Sequence, residues 1–227
     1  AKRVIAWISN SKLTYEDAGP VYRSKFNNII KKQINHLINE IEKDEWVDNK
    51  MIGCAAIILA GLSYHDKDGY LNYGLNLLKR IIKFSFDNTG FPKSRNIRQL
   101  HFYLKYFILI REWLKESQNE IPEYIDENIY YLGQSYAFIW QNNKKDFLFN
   151  GNHESNNEDF DFYLKRLGYS FKNQSNELGG YAVLNNKKIV LAMDIGSSPD
   201  KKFSSNYQAG SLSFEVISNG KKLICNS

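Results

Sequence analysis

The chain has 227 residues, 43% of them apolar and 15% aromatic, with 30 basic and 25 acidic side chains giving a net charge of +5. That length and apolar content exclude a disordered chain and leave room for one large domain or two small ones around a buried core. The mild, dispersed basic excess suits a polyanionic ligand or a mixed solvated surface, and it lacks the clustered basic stretch and motif that nucleic-acid binding needs.

In chain order, helical signals come first. Phe26, Ile29, Ile30, Ile34, Leu37, Ile38 and Ile41 recur at helical spacing and predict one apolar face of a long helix. Asp48 is the expected N-cap of a second helix through Met51, Ala55, Ile58 and Leu62. A third helix is expected over 70–84, ended by the Gly- and Pro-containing loop 87–92. A fourth, over 96–116, is apolar around most of its circumference, which predicts packing on several sides. Pro122 opens a fifth, through Ile125, Ile129, Leu132, Tyr136 and Ile139. Short connections between such helices predict antiparallel helical hairpins.

The character changes after Trp140. The polar, Asn- and Lys-rich link 141–146 is the expected domain boundary, giving a helical segment 1–143 and a second domain 144–227. Beyond it lie a short helix, 158–167, and strands at 181–184, 189–194, 212–218 and 222–226. Asn219-Gly220 between two apolar segments is a strong hairpin signal. Helices segregated from an antiparallel sheet make an α+β fold.

Six strings carry a family resemblance, in order along the chain. They are KRVIAWISN; INHLINEIEK followed by AAIILAGL; DNTGFPKSRN; YLKYFILIREWL; DFLFNG; and GGYAVLNNKKIVLAMDIG running on to YQAGSLSFEVISNGKKLICN. Together they resemble the heparinase II/III-like family of bacterial polysaccharide lyases. The DNTGFPKSRN segment is similar to the family's DGGH…SR(N/S)P loop, and AGSLSFE to the start of its C-terminal β-domain. The resemblance implies a partial (α/α) toroid followed by the first strands of an antiparallel β-sandwich. It also implies a fragment lacking both ends of the family's length, acting on an acidic polysaccharide.

For a uronate polymer, β-elimination requires that the carboxylate be neutralised, that a base take the C5 proton and that an acid protonate the departing O4. The resemblance implies an Asn and a neighbouring His for the first task. Asn49 is the nearest match, but this chain reads Asp-Asn-Lys at 48–50, without the His, and a helix-start pair explains Asp48 and Asn49 equally. For proton transfer it implies a Tyr on the helix after the loop. Here His101 and Tyr103 are the candidates, with Tyr106 nearby, against the plainer reading of a satisfied helix histidine and two packing tyrosines. Arg95 best matches the SRN pattern and would clamp a carboxylate or sulfate, with Lys93 and Arg98 enlarging the cationic patch. The alternative is a structural arginine tying the loop down.

In the β-domain the family's His is replaced by Gln208, with Gly210 where an Asp would stand. Gln208 is then a substrate contact at most, because Gln is a poor base and a poor zinc ligand. His36, His65 and His153 have no metal spacing, and no metal or cofactor is expected. A third and weaker reading is a glycoside hydrolase on a toroid using carboxylates such as Glu45, Asp48 or Asp87, which nothing in the sequence pairs. A non-catalytic glycan-binding or scaffold member of the family is the main alternative to a lyase. These residues show neither a signal peptide nor a run of about eighteen apolar residues; the location stays open, and the resemblance implies a bacterium, in its periplasm or its cytoplasm. Cys54, in an apolar run, and Cys225, in the last strand, are expected to be buried free thiols.

Overall fold

The structure is a computed structural model describing residues 1–64, 69–141, 145–152, 158–186, 188–207 and 210–225. Its described elements are helices α1 (Lys2–Ser9), α2 (Ser11–Thr14), α3 (Pro20–Ile41), α4 (Val47–Ser63), α5 (Tyr70–Ser85), α6 (Ile97–Glu116), α7 (Glu123–Tyr136) and α8 (Glu158–Arg166). A π-helical turn (Ala137–Gln141) follows α7, and a 3-10 helix (Lys201–Asn206) precedes β4. The strands are β1 (Glu177–Leu178), β2 (Tyr181–Asn185), β3 (Ile189–Asp194), β4 (Phe214–Ser218) and β5 (Lys221–Ile224). The chain groups into two compact units, 1–84 with 106–122, and 85–105 with 123–227. The change from helices to strands near residue 144 therefore falls inside the second unit.

In the first unit the organising element is α4. Met51 to Gly61 is buried on every side, as expected of a helix without a polar face. It packs against α1 and α3, where Val4, Ile30, Ile34 and Ile41 are buried, while Ile29 points to solvent. Two glycines let α4 and α5 meet closely. A Cβ on Gly61 would lie 2.5 Å from the Leu71 backbone nitrogen, and one on Gly74 would lie 2.6 Å from the Ile58 side chain. Cys54 is a free, buried thiol that donates to the Gly74 carbonyl at 3.1 Å, and burial pushes its pKa far up, so its role is structural. The other free cysteine, Cys225, is exposed rather than buried. Asp48 is not the N-cap of α4. That position is Trp46, and Asp48 sits within the first turn, where a carboxylate favours the helix N-terminus.

The second unit is built on a five-stranded antiparallel meander in the order β1-β2-β3-β4-β5. Asn219 and Gly220 both adopt positive φ, 49° and 75°, which is the turn that matches strand twist in a two-residue hairpin. One face of the sheet is buried and carries Tyr181, Val183, Ala192, Asp194, Glu215 and Ile217. Opposite lie Leu184, Leu191, Met193, Phe214, Val216 and Ile224, half-buried or exposed. Aromatic rings pack on the inner face: Phe149 stacks on Tyr181 at 5.5 Å, and Phe91 lies 5.8 Å from the same ring. Glu215 is fully buried there, its Oε1 accepting the Leu148 N–H at 2.8 Å and fastening the segment before α8 to β4.

Candidate functional site

The loop 85–96 is shaped by Asp87, whose Oδ1 accepts the N–H groups of Thr89 and Phe91 and the Thr89 hydroxyl at 2.7–2.9 Å. A Phe86–Pro92 bridge closes it, and Gly90, at φ 73°, passes against Tyr131. The loop ends on Arg95, which holds a positive φ of 56°, uncommon for a side-chain-bearing residue.

Its guanidinium explains why that conformation persists. Nη2 donates to Asp194 Oδ1 at 2.5 Å and to the Gly180 carbonyl at 2.8 Å. Nη1 donates to the Ser197 carbonyl at 2.9 Å and Nε to the Gly179 carbonyl at 3.3 Å, while the charge lies over the Tyr181 ring at 4.8 Å. Arg95 is 8% exposed and Asp194 0%. Asn150 joins the network, donating to Asp194 Oδ2 at 3.3 Å and to the Tyr181 hydroxyl, which in turn donates to the Arg95 carbonyl at 2.6 Å. Burial pushes the Tyr181 phenol well up, so it stays a neutral donor. Arg95 therefore ties its loop to the sheet, with every guanidinium nitrogen engaged inside the protein. Gly180 and Gly196 are part of the fit, since a Cβ on either would come within 3 Å of the guanidinium.

Beside Arg95 lies an open groove of about 460 Å³, lined by the loop, the β1–β2 turn and the segment 196–203. Lys93, Asp87 and Asp200 bring charge to it, and Thr89, Ser197 and Ser198 bring hydroxyls. Arg98, the second residue of α6, is exposed and does not line the groove.

His101 and Tyr103 are separated by their environments. Tyr103 is buried, with its ring edge-on to Phe86 at 4.9 Å, and is a packing residue. Tyr103→Phe is accordingly expected to cost no more than about 1 kcal/mol and to leave any lyase rate within about twofold of wild type. A rate lost with the hydroxyl, at unchanged stability, would return Tyr103 to the chemistry. His101 is half-buried, 4.2 Å from the Phe160 ring and 6.2 Å from Tyr136. It makes no hydrogen bond to another described residue. Burial, helped by Lys105 and opposed by Asp161, lowers its pKa to about 4, so the imidazole is neutral near pH 7. Tyr136, whose hydroxyl donates to the buried Asp161 at 3.0 Å, backs it from α7.

Asn49 is exposed in the first turn of α4 and belongs to the first unit. Gln208, His65 and His153 lie outside the described residues. Among the described residues, no group of three or more His, Cys, Asp or Glu is placed to hold a metal, and no helix is long and apolar enough to cross a membrane. Asp194, Asn150, Tyr181 and Asp161 carry much of the polar architecture, and sequence reading passed over all four. The only signal for Asp194 was an acidic residue closing the apolar run 189–193.

Residues 173–227 match the family model described as Heparinase II/III-like, C-terminal. No curated protein matches the sequence. Among solved structures, the chain is similar to a heparinase III gene product with methylated lysines (TM-score 0.80, 14% identity), covering 99% of this chain and 39% of that one. A crystal structure of heparinase III matches with TM-score 0.79 and 15% identity over 99% of this chain and 41% of that one. Heparan sulfate lyase HepC from Pedobacter heparinus matches with TM-score 0.72 and 15% identity over 97% and 39%. The chain thus has the α+β fold of the corresponding part of the heparinase III structures and spans about two fifths of their length. The family resemblance read from the six strings stands on the C-terminal match and on this fold.

Proposed function

We propose that this chain is part of a polysaccharide lyase that cleaves a uronate-containing polymer by β-elimination, with His101 as the proton acceptor. The observation that supports this reading best is the state of His101. Its imidazole is neutral near pH 7, held by ring contacts alone, with both nitrogens unengaged by other described residues. A neutral imidazole is the form that takes a proton. In the proposed step an imidazole nitrogen takes the C5 proton. The C5–H electron pair becomes the C4–C5 double bond, and the C4–O4 bond breaks with its electrons leaving on O4, which is then protonated. Lys93 lines the groove beside Arg95, whereas His101 is not among that groove's lining residues.

The test is to present heparan sulfate, hyaluronan and alginate to the protein and follow the ultraviolet absorbance of the unsaturated uronate. His101→Gln is expected to lower the rate by roughly 10²-fold or more with the fold retained. A wild-type rate in that variant removes His101 from the mechanism.

A second reading, a glycan-binding protein without cleavage, is favoured by two placements. Tyr103 is buried, and the Arg95 guanidinium is taken up by Asp194 and three carbonyls. Binding of these polymers without any new absorbance would select it.

A further inference from the structure

We infer that Asn219 is a self-modifying site: in the folded protein its side-chain amide is lost as ammonia, giving aspartyl and isoaspartyl forms, while the same dipeptide at Asn150-Gly151 is spared. The inference goes beyond the lyase reading and does not depend on it.

The chain contains two Asn-Gly dipeptides, at 150–151 and 219–220. Asn150 and Gly151 hold φ of 50° and 78°, and Asn219 and Gly220 hold 49° and 75°. Each pair forms the centre of a tight turn. One turn is closed by the Asn152 N–H on the Phe149 carbonyl at 3.1 Å, and the other joins β4 to β5 with Ser218 opposite Lys221. With residue types and φ matched, the difference between the two lies in what surrounds the side-chain amide.

Asn150 is 2% exposed, and its Nδ2 donates to the Tyr181 hydroxyl and to Asp194 Oδ2 at 3.3 Å. Its carboxamide is held in place and shut off from the water that the reaction consumes. Asn219 is exposed, and its Nδ2 reaches only the Ser218 hydroxyl, at 3.5 Å, the outer limit of a hydrogen bond. Among the described residues nothing accepts the Gly220 N–H, and the space where a Gly220 Cβ would stand is empty out to 4 Å. The attacking nitrogen is unshielded, and the carboxamide can turn toward it.

In the reaction the Gly220 nitrogen attacks Asn219 Cγ. A C–N bond forms, the Cγ–Nδ2 bond breaks, and ammonia leaves with the Gly220 proton, closing a succinimide ring. Water then adds to one of the two ring carbonyls. Opening at Cγ restores the main chain with an aspartate. Opening at the Asn219 main-chain carbonyl leaves Gly220 joined through the side chain, as an isoaspartate. That form lengthens the two-residue turn by one methylene, and the turn sets the register of its strands. Lys221, Leu223 and Ile224 are exposed, so burial does little to hold β5 in place, and the isoaspartyl form loosens it from β4.

The experiment holds the folded chain at mildly alkaline pH and follows the peptides carrying each asparagine by mass spectrometry. Enzymatic methylation of isoaspartyl carboxyls identifies the rearranged product. The Asn219 peptide is expected to gain one dalton roughly tenfold or more faster than the Asn150 peptide, because Asn150 reacts only after its buried hydrogen bonds open. In denaturant the two rates are expected to converge. Hydrogen exchange of 221–224 is expected to quicken as isoaspartate accumulates. Asn219→Gly, which keeps a residue suited to positive φ in the turn, is expected to remove both the mass gain there and the quickening.

Equal conversion of the two asparagines in the folded protein overturns the inference, as does an Asn219 that stays intact when folded while the denatured chain converts. A rate gap that persists in denaturant overturns it too, since the difference would then belong to the flanking sequence. Exchange of 221–224 that stays slow in the isoaspartyl fraction, or that quickens equally in Asn219→Gly, overturns the loosening of β5.

Discussion

Asp194→Ala is expected to lower the stability of the protein by roughly 3–5 kcal/mol, because it leaves the Arg95 charge buried without its counter-ion. Few single substitutions elsewhere in the second unit would match it. Arg95 is 8% exposed, and its other partners are carbonyl oxygens, which solvate a guanidinium but do not neutralise it. The Asn150 amide would also lose one acceptor. A double replacement, Arg95→Met with Asp194→Leu, removes both charges together and is expected to cost much less than the sum of the single changes. Chemical denaturation of the three variants checks this. A loss under about 1 kcal/mol for Asp194→Ala would mean that water reaches the pair and that it behaves as a surface salt bridge.

The second large effect is on pH dependence. The folded protein holds the His101 pKa down at about 4 against an ordinary value of 6.5, mainly by burial. As pH falls below 6.5 the unfolded chain takes up this proton before the folded one does. Stability is therefore full above about 6.5, falls as pH drops, and levels off below about 4, a loss of up to about 3 kcal/mol. His101→Gln should flatten this part of the stability curve, and the NMR titration of the imidazole should show the depressed midpoint directly. A midpoint near 6.5 would mean that the ring is solvated, removing both this loss and the reason for calling it neutral in moderately acidic conditions. Under the lyase reading the same number gives an acid limb of the rate profile well below that of an unperturbed histidine.

Local pattern made most of the elements legible. The 3.6-residue spacing of apolar side chains marks α3 to α7 within a few residues, and the short apolar run 189–194, bounded by turn residues, marks β3 to the residue. Asn-Gly at 219–220 needs no tertiary context, because the turn is decided by the φ its two residues tolerate. The π-helical turn after α7 carries no pattern of its own, and β1, at two residues, is shorter than any alternation can reveal. The site was harder for a physical reason. Whether Arg95 clamps a ligand or its own fold depends on Asp194, 99 positions further along, and on carbonyls that no residue type announces. Tyr103 and His101 are two positions apart on one helix and so face different surroundings; one meets Phe86 in the core and the other meets Phe160.

The outer face of the sheet has a consequence for handling the molecule. Leu184, Phe214 and Ile224 are each 44–56% exposed and share that face with Leu191, Met193 and Val216, with Leu223 nearby on β5 at 67%. Side chains of this kind, gathered on a flat surface instead of scattered singly, make a solute sticky. Solutions of this chain should therefore behave as a colloid whose apparent melting point, scattering and dye binding drift with concentration. Any stability difference between variants then means what it says only at matched, low protein concentration.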